Sequence, residues 1–156
     1  MIKHIGKIFS VNTSKERGTI KYALPEILIK SQGIEGDAHY GHSDRHLSII
    51  SIERIEEFSK EINTKINPGE FAENITTSGL DLTKVKLHDC FRIGTAELEV
   101  IQIGKPEVYR GDGSGVFRII GKSVMLHEGL FCKVITEGKV RTGDKIEHYE
   151  FSNKPN

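Results

Sequence analysis

This sequence predicts a mainly β protein: a β-barrel of short, mostly antiparallel strands with peripheral helices. Three observations lead there. Apolar stretches are many and short, turn signals separate them at brief intervals, and a single segment has clear helical spacing.

In chain order, residues 2–10 read as an opening strand and residues 27–31 as a second, with Ile27 and Ile29 on one face. Gly33, Gly36 and Gly41 then punctuate a long polar loop, and His46 to Ile50 reads as a buried strand. Ser51 is suited to cap the next segment, where Ile52, Ile55, Phe58, Ser59 and Ile62 recur at helical spacing, so a helix is expected over 52–62. Glu53, Glu56 and Glu57 lie toward its positive end and Lys60 toward its negative end, as the helix dipole favours. Turns follow at Asn67-Pro68-Gly69 and Ser78-Gly79. Residues 90–93 and 97–103 flank Gly94-Thr95 as a hairpin. Gly104 to Gly115 reads as irregular, and residues 116–125 as a short helix weakened by Gly121. Strands at 130–135 and 139–149, around turns at Glu137-Gly138 and Thr142-Gly143-Asp144, close a domain spanning 1–151. Residues 152–156 form a tail.

A chain of 156 residues is one domain by length, and 37% apolar with 28% charged residues fits a globular protein. The 22 basic residues equal the 22 acidic ones, which removes the main electrostatic argument for nucleic-acid binding. No apolar run is long enough for a membrane span. The start, Met1-Ile-Lys-His-Ile-Gly-Lys7, lacks the apolar core of a signal peptide, so a cytoplasmic location is expected. Cys90 and Cys132 are expected to stay reduced there.

Four groups of residues carry candidate chemistry. The loop bearing Asp37, His39, His42, Asp44 and His46 offers ligands suited to a divalent transition ion, or else carboxylates that hold turns. Arg45 stands at the mouth of an apolar strand, placed either to grip a phosphate or carboxylate or to pair with Glu73 or Asp37. Cys132 shares a strand face with Leu130 and Val134, the pattern of a small core hydrophobe; chemistry there requires exposure and nearby cations. Lys105, Arg110, Arg118 and Lys122 lie across a glycine-rich stretch whose amides at Gly111, Gly113 and Gly115 suit an anion, although no P-loop or dinucleotide fingerprint is present.

A further pattern runs through Gly33-Ile-Glu-Gly36-Asp37-Ala-His39, Arg45-His-Leu-Ser48 and Gly69-Glu-Phe-Ala-Glu73-Asn74-Ile75-Thr76. It continues through Ile93-Gly94, Ile103-Gly104-Lys105, Glu128-Gly129-Leu-Phe131 and Gly138-Lys-Val-Arg-Thr-Gly143-Asp144. In this order the motifs resemble those of the MOSC domain, the C-terminal module of molybdenum-cofactor sulfurases, as a stand-alone member. The resemblance implies a β-barrel and an association with the molybdenum cofactor, a pterin dithiolene carrying a phosphate. It also implies sulfur transfer through a cysteine persulfide, or thiolate ligation of molybdenum. Where many small members place a cysteine after the Gly-Lys pair, this chain has Pro106 and Glu107.

The resulting expectation is a molybdopterin-binding protein for cofactor handling or sulfuration, partnered by pathway or acceptor enzymes. Arg45, Lys105, Arg118 and Lys122 would contact the phosphate or the anionic metal-oxo centre. Glu73 and Asn74 would shape the pocket by hydrogen bonding, and Cys132 would carry sulfur. The alternatives are a non-catalytic carrier or insertion partner, and a molybdenum-dependent reductase of N-hydroxylated compounds with an external electron donor. A zinc hydrolase using the histidine loop stands further off.

Overall fold

The computed structural model describes residues 4–17, 19–104 and 128–151. Its opening strand β1 (His4–Thr13) runs three residues beyond the expected end and alternates outward Ile5, Lys7 and Phe9 with inward Gly6, Ile8 and Ser10. Next come β2 (Tyr22–Leu24), β3 (Glu26–Lys30), β4 (Gly33–Ile34), β5 (Leu47–Ser51), the helix α1 (Ile52–Glu61) and β6 (Ile75–Ser78). A single 3-10 turn at Leu82–Lys84 precedes β7 (Cys90–Ile93), β8 (Ala96–Ile103), β9 (Leu130–Thr136), β10 (Gly138–Arg141) and β11 (Lys145–Tyr149).

Seven strands close a barrel in the order β1, β6, β5, β9, β8, β7, β11, with β11 returning to β1. All these pairings are antiparallel except β5 with β6, which the intervening helix makes parallel. The interior is filled by inward residues from every wall, among them Ile8, Ile49, Ile75, Phe91, Leu98 and Ile146. A small sheet, β10-β3-β4, adds Ile27, Ile29, Ile34 and Val140 to the same core.

Outside the barrel, α1 is shaped by the features read from its sequence. Ser51 Oγ accepts the Arg54 N–H at 3.2 Å, and Glu53 and Lys60 stand in the first and last turns. Its buried face of Ile52, Ile55 and Phe58 packs with Ile50, Ile66, Phe71 and Phe131 in a second apolar cluster. Phe58 meets Phe71 edge-on at 5.5 Å between ring centres, and truncating Phe58 to Ala would cost about 3–5 kcal/mol.

The helix ends one residue short of the expected boundary, and the hairpin about Gly94-Thr95 forms as expected. Three strands, β2, β4 and β6, are not expected from the sequence, which places Gly33 in a polar loop. All three β2 residues are exposed, so no alternation marks them, and Thr76 and Thr77 of β6 are buried despite their hydroxyls. The helix expected at 116–125, most of the glycine-rich stretch and the tail at 152–156 lie outside the described residues.

Candidate functional site

The Glu73-Asn74 motif lies where β6 starts between β1 and β5. The Asn74 amide oxygen accepts the Ser48 N–H at 3.2 Å, and its nitrogen donates to the Asn12 carbonyl at 3.1 Å. Asn12 in turn donates to the Glu73 carbonyl at 3.2 Å and to Thr76 Oγ1 at 3.1 Å. These side chains reinforce backbone bonds from the Asn12 N–H to the Asn74 carbonyl and from the Asn74 N–H to the Ser48 carbonyl, and all are buried.

Glu73 is completely buried. Its Oε2 accepts from the Gly69 N–H at 2.9 Å and from Thr76 Oγ1 at 2.8 Å, while Oε1 has no hydrogen-bond partner among the described residues. Burial pushes its pKa up from 4.5 to about 7, against the opposing pull of the Gly69 and Thr76 bonds. Gly69 is required here for two reasons: its φ is +90°, and a Cβ would collide with the Lys21 carbonyl oxygen. The hydrogen bonds of Glu73 and Asn74 therefore go to the fold around them.

The polar loop between β4 and β5 is anchored by a residue that sequence reading missed. Lys21 is only 2% exposed, and its Nζ contacts Asp37 Oδ1 at 2.7 Å and Ser14 Oγ at 3.1 Å. Asp37 also accepts the backbone N–H groups of Ser14 and His39. Burial works to raise the Asp37 pKa, but hydrogen bonds from His39 and Lys21 outweigh it and hold the carboxylate far below its ordinary range. His46 Nδ1 accepts the Val134 N–H at 2.9 Å. Among the described residues, no three of His, Cys, Asp and Glu are grouped to hold a metal ion.

Arg45 pairs with neither Asp37, which Lys21 already neutralises, nor the completely buried Glu73. It is half-buried, lies over the Phe131 ring at 5.6 Å and has no carboxylate partner among the described residues. Phe131 faces Ser48 in the β5–β9 ladder, so Arg45, Ser48 and Asn74 belong to one end of β5.

Cys132 faces Leu47 in the adjacent register position and is fully buried in the barrel core. Burial, then Cys90 and Glu99, drive its thiol far above the ordinary value, so the thiolate is strongly disfavoured. This is the environment of a core-filling cysteine. Cys90 is buried too. Lys105, Arg118 and Lys122, expected to hold an anion, lie outside the described residues.

At the other end of β5 a groove of about 670 Å³ opens beside the start of α1. Ile50, Leu80, Leu82, Val85, Ile103 and Leu130 form its apolar surface. Glu53, Glu57, Asp81 and Glu128 also line it, together with Arg54. Gly6 allows one wall to approach: a Cβ there would stand 2.7 Å from the Ser78 carbonyl oxygen and 2.8 Å from Leu80 Cβ.

The family model described as the MOSC domain matches residues 36–106, a span that includes Arg45, Glu73 and Asn74. The barrel matches the crystal structure of the YuaD protein from Bacillus subtilis with a TM-score of 0.78, covering 96% of this chain and 99% of that one at 23% identity. The likeness to the MOSC domain family is thus one of this segment, with the fold shared along the chain. A second structural neighbour is YiiM from Geobacillus stearothermophilus, with a TM-score of 0.68, 21% identity and coverage of 93% of this chain and 75% of that one. In sequence, the chain is 25% identical over 139 residues to the uncharacterized protein YflK of Bacillus subtilis, spanning 85% of its own length and 63% of that relative's. The family is associated with molybdenum-cofactor binding.

The described residues fit the phosphate of that cofactor unequally. At the start of β5, Arg45 is a guanidinium stacked over Phe131 with no carboxylate partner among the described residues, a suitable donor to a phosphate. The groove by α1 is the reverse, since its four carboxylates would meet a phosphate with like charge.

Proposed function

We propose that this protein binds the molybdenum cofactor and takes part in its handling as a carrier or insertion partner, without thiol chemistry. The observation that carries this reading is the complete burial of Cys132 with its thiol held protonated, beside the family's association with the cofactor. A sulfur carrier needs a thiolate that an acceptor can reach, and a carrier of intact cofactor does not. Arg45 donates to the phosphate or metal-oxo oxygens, with Lys105, Arg118 and Lys122 supplying further positive charge. Glu73 and Asn74 act indirectly by fixing the strand ends from which Arg45 projects. The bound cofactor would bring the molybdenum and dithiolene chemistry; the chain's part is to hold it and pass it to an acceptor enzyme.

The test is molybdenum and pterin content of untagged protein purified from cells that make the cofactor, for wild type, Cys132→Ala and Arg45→Gln. The expected result is cofactor retained in Cys132→Ala and reduced roughly tenfold or more in Arg45→Gln, as for loss of a charge-assisted hydrogen bond. A persulfide on Cys132, with cofactor lost in Cys132→Ala, would establish the sulfur-carrier alternative instead. Absence of cofactor from every sample would overturn cofactor binding.

A further inference from the structure

The groove beside α1 has a ligand chemistry of its own. Its floor is aliphatic, and its volume of about 670 Å³ falls within the ordinary range for small-molecule sites. Among the described charged residues that line it, carboxylates outnumber cations by four to one. The one cation among the described lining residues faces carboxylates: Arg54 Nε lies 2.9 Å from Glu128 Oε2, its Nη1 lies 3.7 Å from Glu57 Oε1 without a hydrogen bond, and its guanidinium covers the Phe58 ring at 5.9 Å.

Two of the carboxylates retain an oxygen for which no described residue supplies a hydrogen bond. Glu53 accepts the Gly79 N–H through Oε2 at 2.9 Å, leaving Oε1. Asp81 accepts the Thr83 N–H and hydroxyl through Oδ1, leaving Oδ2. The Thr83 hydrogen bonds lower the Asp81 pKa, so it stays ionised at neutral pH. Lys84 and His4 act on Asp81 from a distance, and neither forms an ion pair with it. The bonds to Gly79 and Thr83 orient both carboxylates beside the apolar floor.

We propose that this groove is a binding site for a small organic cation: an apolar body seated on Leu80, Leu82 and Ile103, and a protonated nitrogen held by Glu53 and Asp81. Glu57 adds to the negative potential from the exposed side of the helix. The site lies at the Ser51 end of β5, opposite Arg45. Six residues of extended chain, about 20 Å, separate the two positions. The charge preference is thus opposite at the two ends of one strand, and this proposal does not rest on cofactor binding.

The chain contains no tryptophan, so an indole probe gives emission that belongs to the ligand alone. Tryptamine and indole-3-propionate share one apolar body and carry opposite charges. Each is titrated at low salt into cofactor-free protein, following fluorescence with excitation selective for indole. Saturable tryptamine binding is expected, with indole-3-propionate weaker by about tenfold or more. Glu53→Gln and Asp81→Asn, which keep an acceptor oxygen for their backbone partners, should each weaken tryptamine roughly two- to fivefold. Added salt should weaken it as well.

If Glu53→Gln fails to fold, Glu57→Lys on the exposed helix face provides the second variant and should narrow the preference for tryptamine. Equal binding of the two probes would overturn the proposal. So would absence of saturable binding, or affinity unchanged in folded variants. Such a failure leaves the cofactor reading intact, because that reading is judged by metal and pterin content.

Discussion

The Gly69 backbone N–H donates to Oε2 of Glu73 at 2.9 Å in a region closed to solvent. This links the turn before the motif to the start of β6 through a carboxyl group with one oxygen unpartnered among the described residues. A buried carboxyl in this position favours its protonated form, and the pKa of about 7 expresses that preference. Because the folded-state value is raised, its contribution to stability is complete below about 4.5 and is lost as pH rises through about 7. The displacement corresponds to roughly 3 kcal/mol at 1.4 kcal/mol per pH unit. Glu73→Gln removes the ionisation while keeping an oxygen for Gly69 and Thr76. Urea unfolding of both proteins from pH 4 to 9 should show the variant gaining on wild type by up to about 3 kcal/mol toward the alkaline end. A constant difference across that range would place the Glu73 titration elsewhere.

Lys21 and Asp37 give the second prediction. Their side chains are 1% and 0% exposed, and their ion pair anchors the loop leading to Arg45. Lys21→Met leaves the Asp37 carboxylate buried without its ammonium, a change that costs about 3–5 kcal/mol. The double variant Lys21→Met/Asp37→Asn, with no buried charge, should recover part of that loss. Denaturant midpoints of the two variants check this, and a double variant no more stable than Lys21→Met would contradict the uncompensated-charge explanation.

The same pair shows which parts of the molecule the sequence made legible. The α1 signals are local: Ser51, the early glutamates, Lys60 and the spacing of Ile52, Ile55 and Phe58 all act within a few turns. The β7–β8 hairpin is equally local, with Gly94 at φ +59° between its strands. Lys21 gives no such signal. It follows a polar stretch and resembles any surface lysine until the fold brings Asp37, Ser14 and His39 around it. Arg45 was legible as a candidate anion holder, but its stacking on Phe131 depends on pairing between β5 and the distant β9. Glu73 and Asn74 were legible as a motif; their burial became visible only once β1, β5 and β6 met.

Ala72, between Phe71 and Glu73, has φ +66°, a left-handed conformation that favours glycine. The turn requires it: the Ala72 N–H donates to the Gly69 carbonyl at 2.9 Å, while its own carbonyl accepts from Ser48 Oγ at 3.4 Å. Relief of the Cβ penalty, about 1–2 kcal/mol, should exceed the added chain entropy of glycine, about 0.5–1 kcal/mol. Ala72→Gly is therefore expected to stabilise the protein by roughly 0.5 kcal/mol, visible as a small rise in melting temperature. A fall would show that the Ala72 methyl contributes more packing than its strain costs.

Cys132 separates structural from chemical readings in one experiment. The side chain is fully buried among aliphatic core residues, and burial raises the thiol far above its usual range. Alkylating reagents should therefore leave Cys132 unmodified in native protein and label it in urea, with the native rate governed by opening of the barrel. Cys132→Ala removes a sulfur from a tight site, whereas Cys132→Ser puts a hydroxyl in the same apolar surroundings at about 1–3 kcal/mol if it finds no partner. Serine should thus be the more destabilising substitution. A sulfur carrier predicts the opposite pattern: rapid alkylation of the folded protein, little loss of stability with serine, and protection by bound sulfur. Mass spectrometry of the alkylated native protein, read beside the two melting curves, distinguishes a thiol that holds the barrel together from one that leaves it to react.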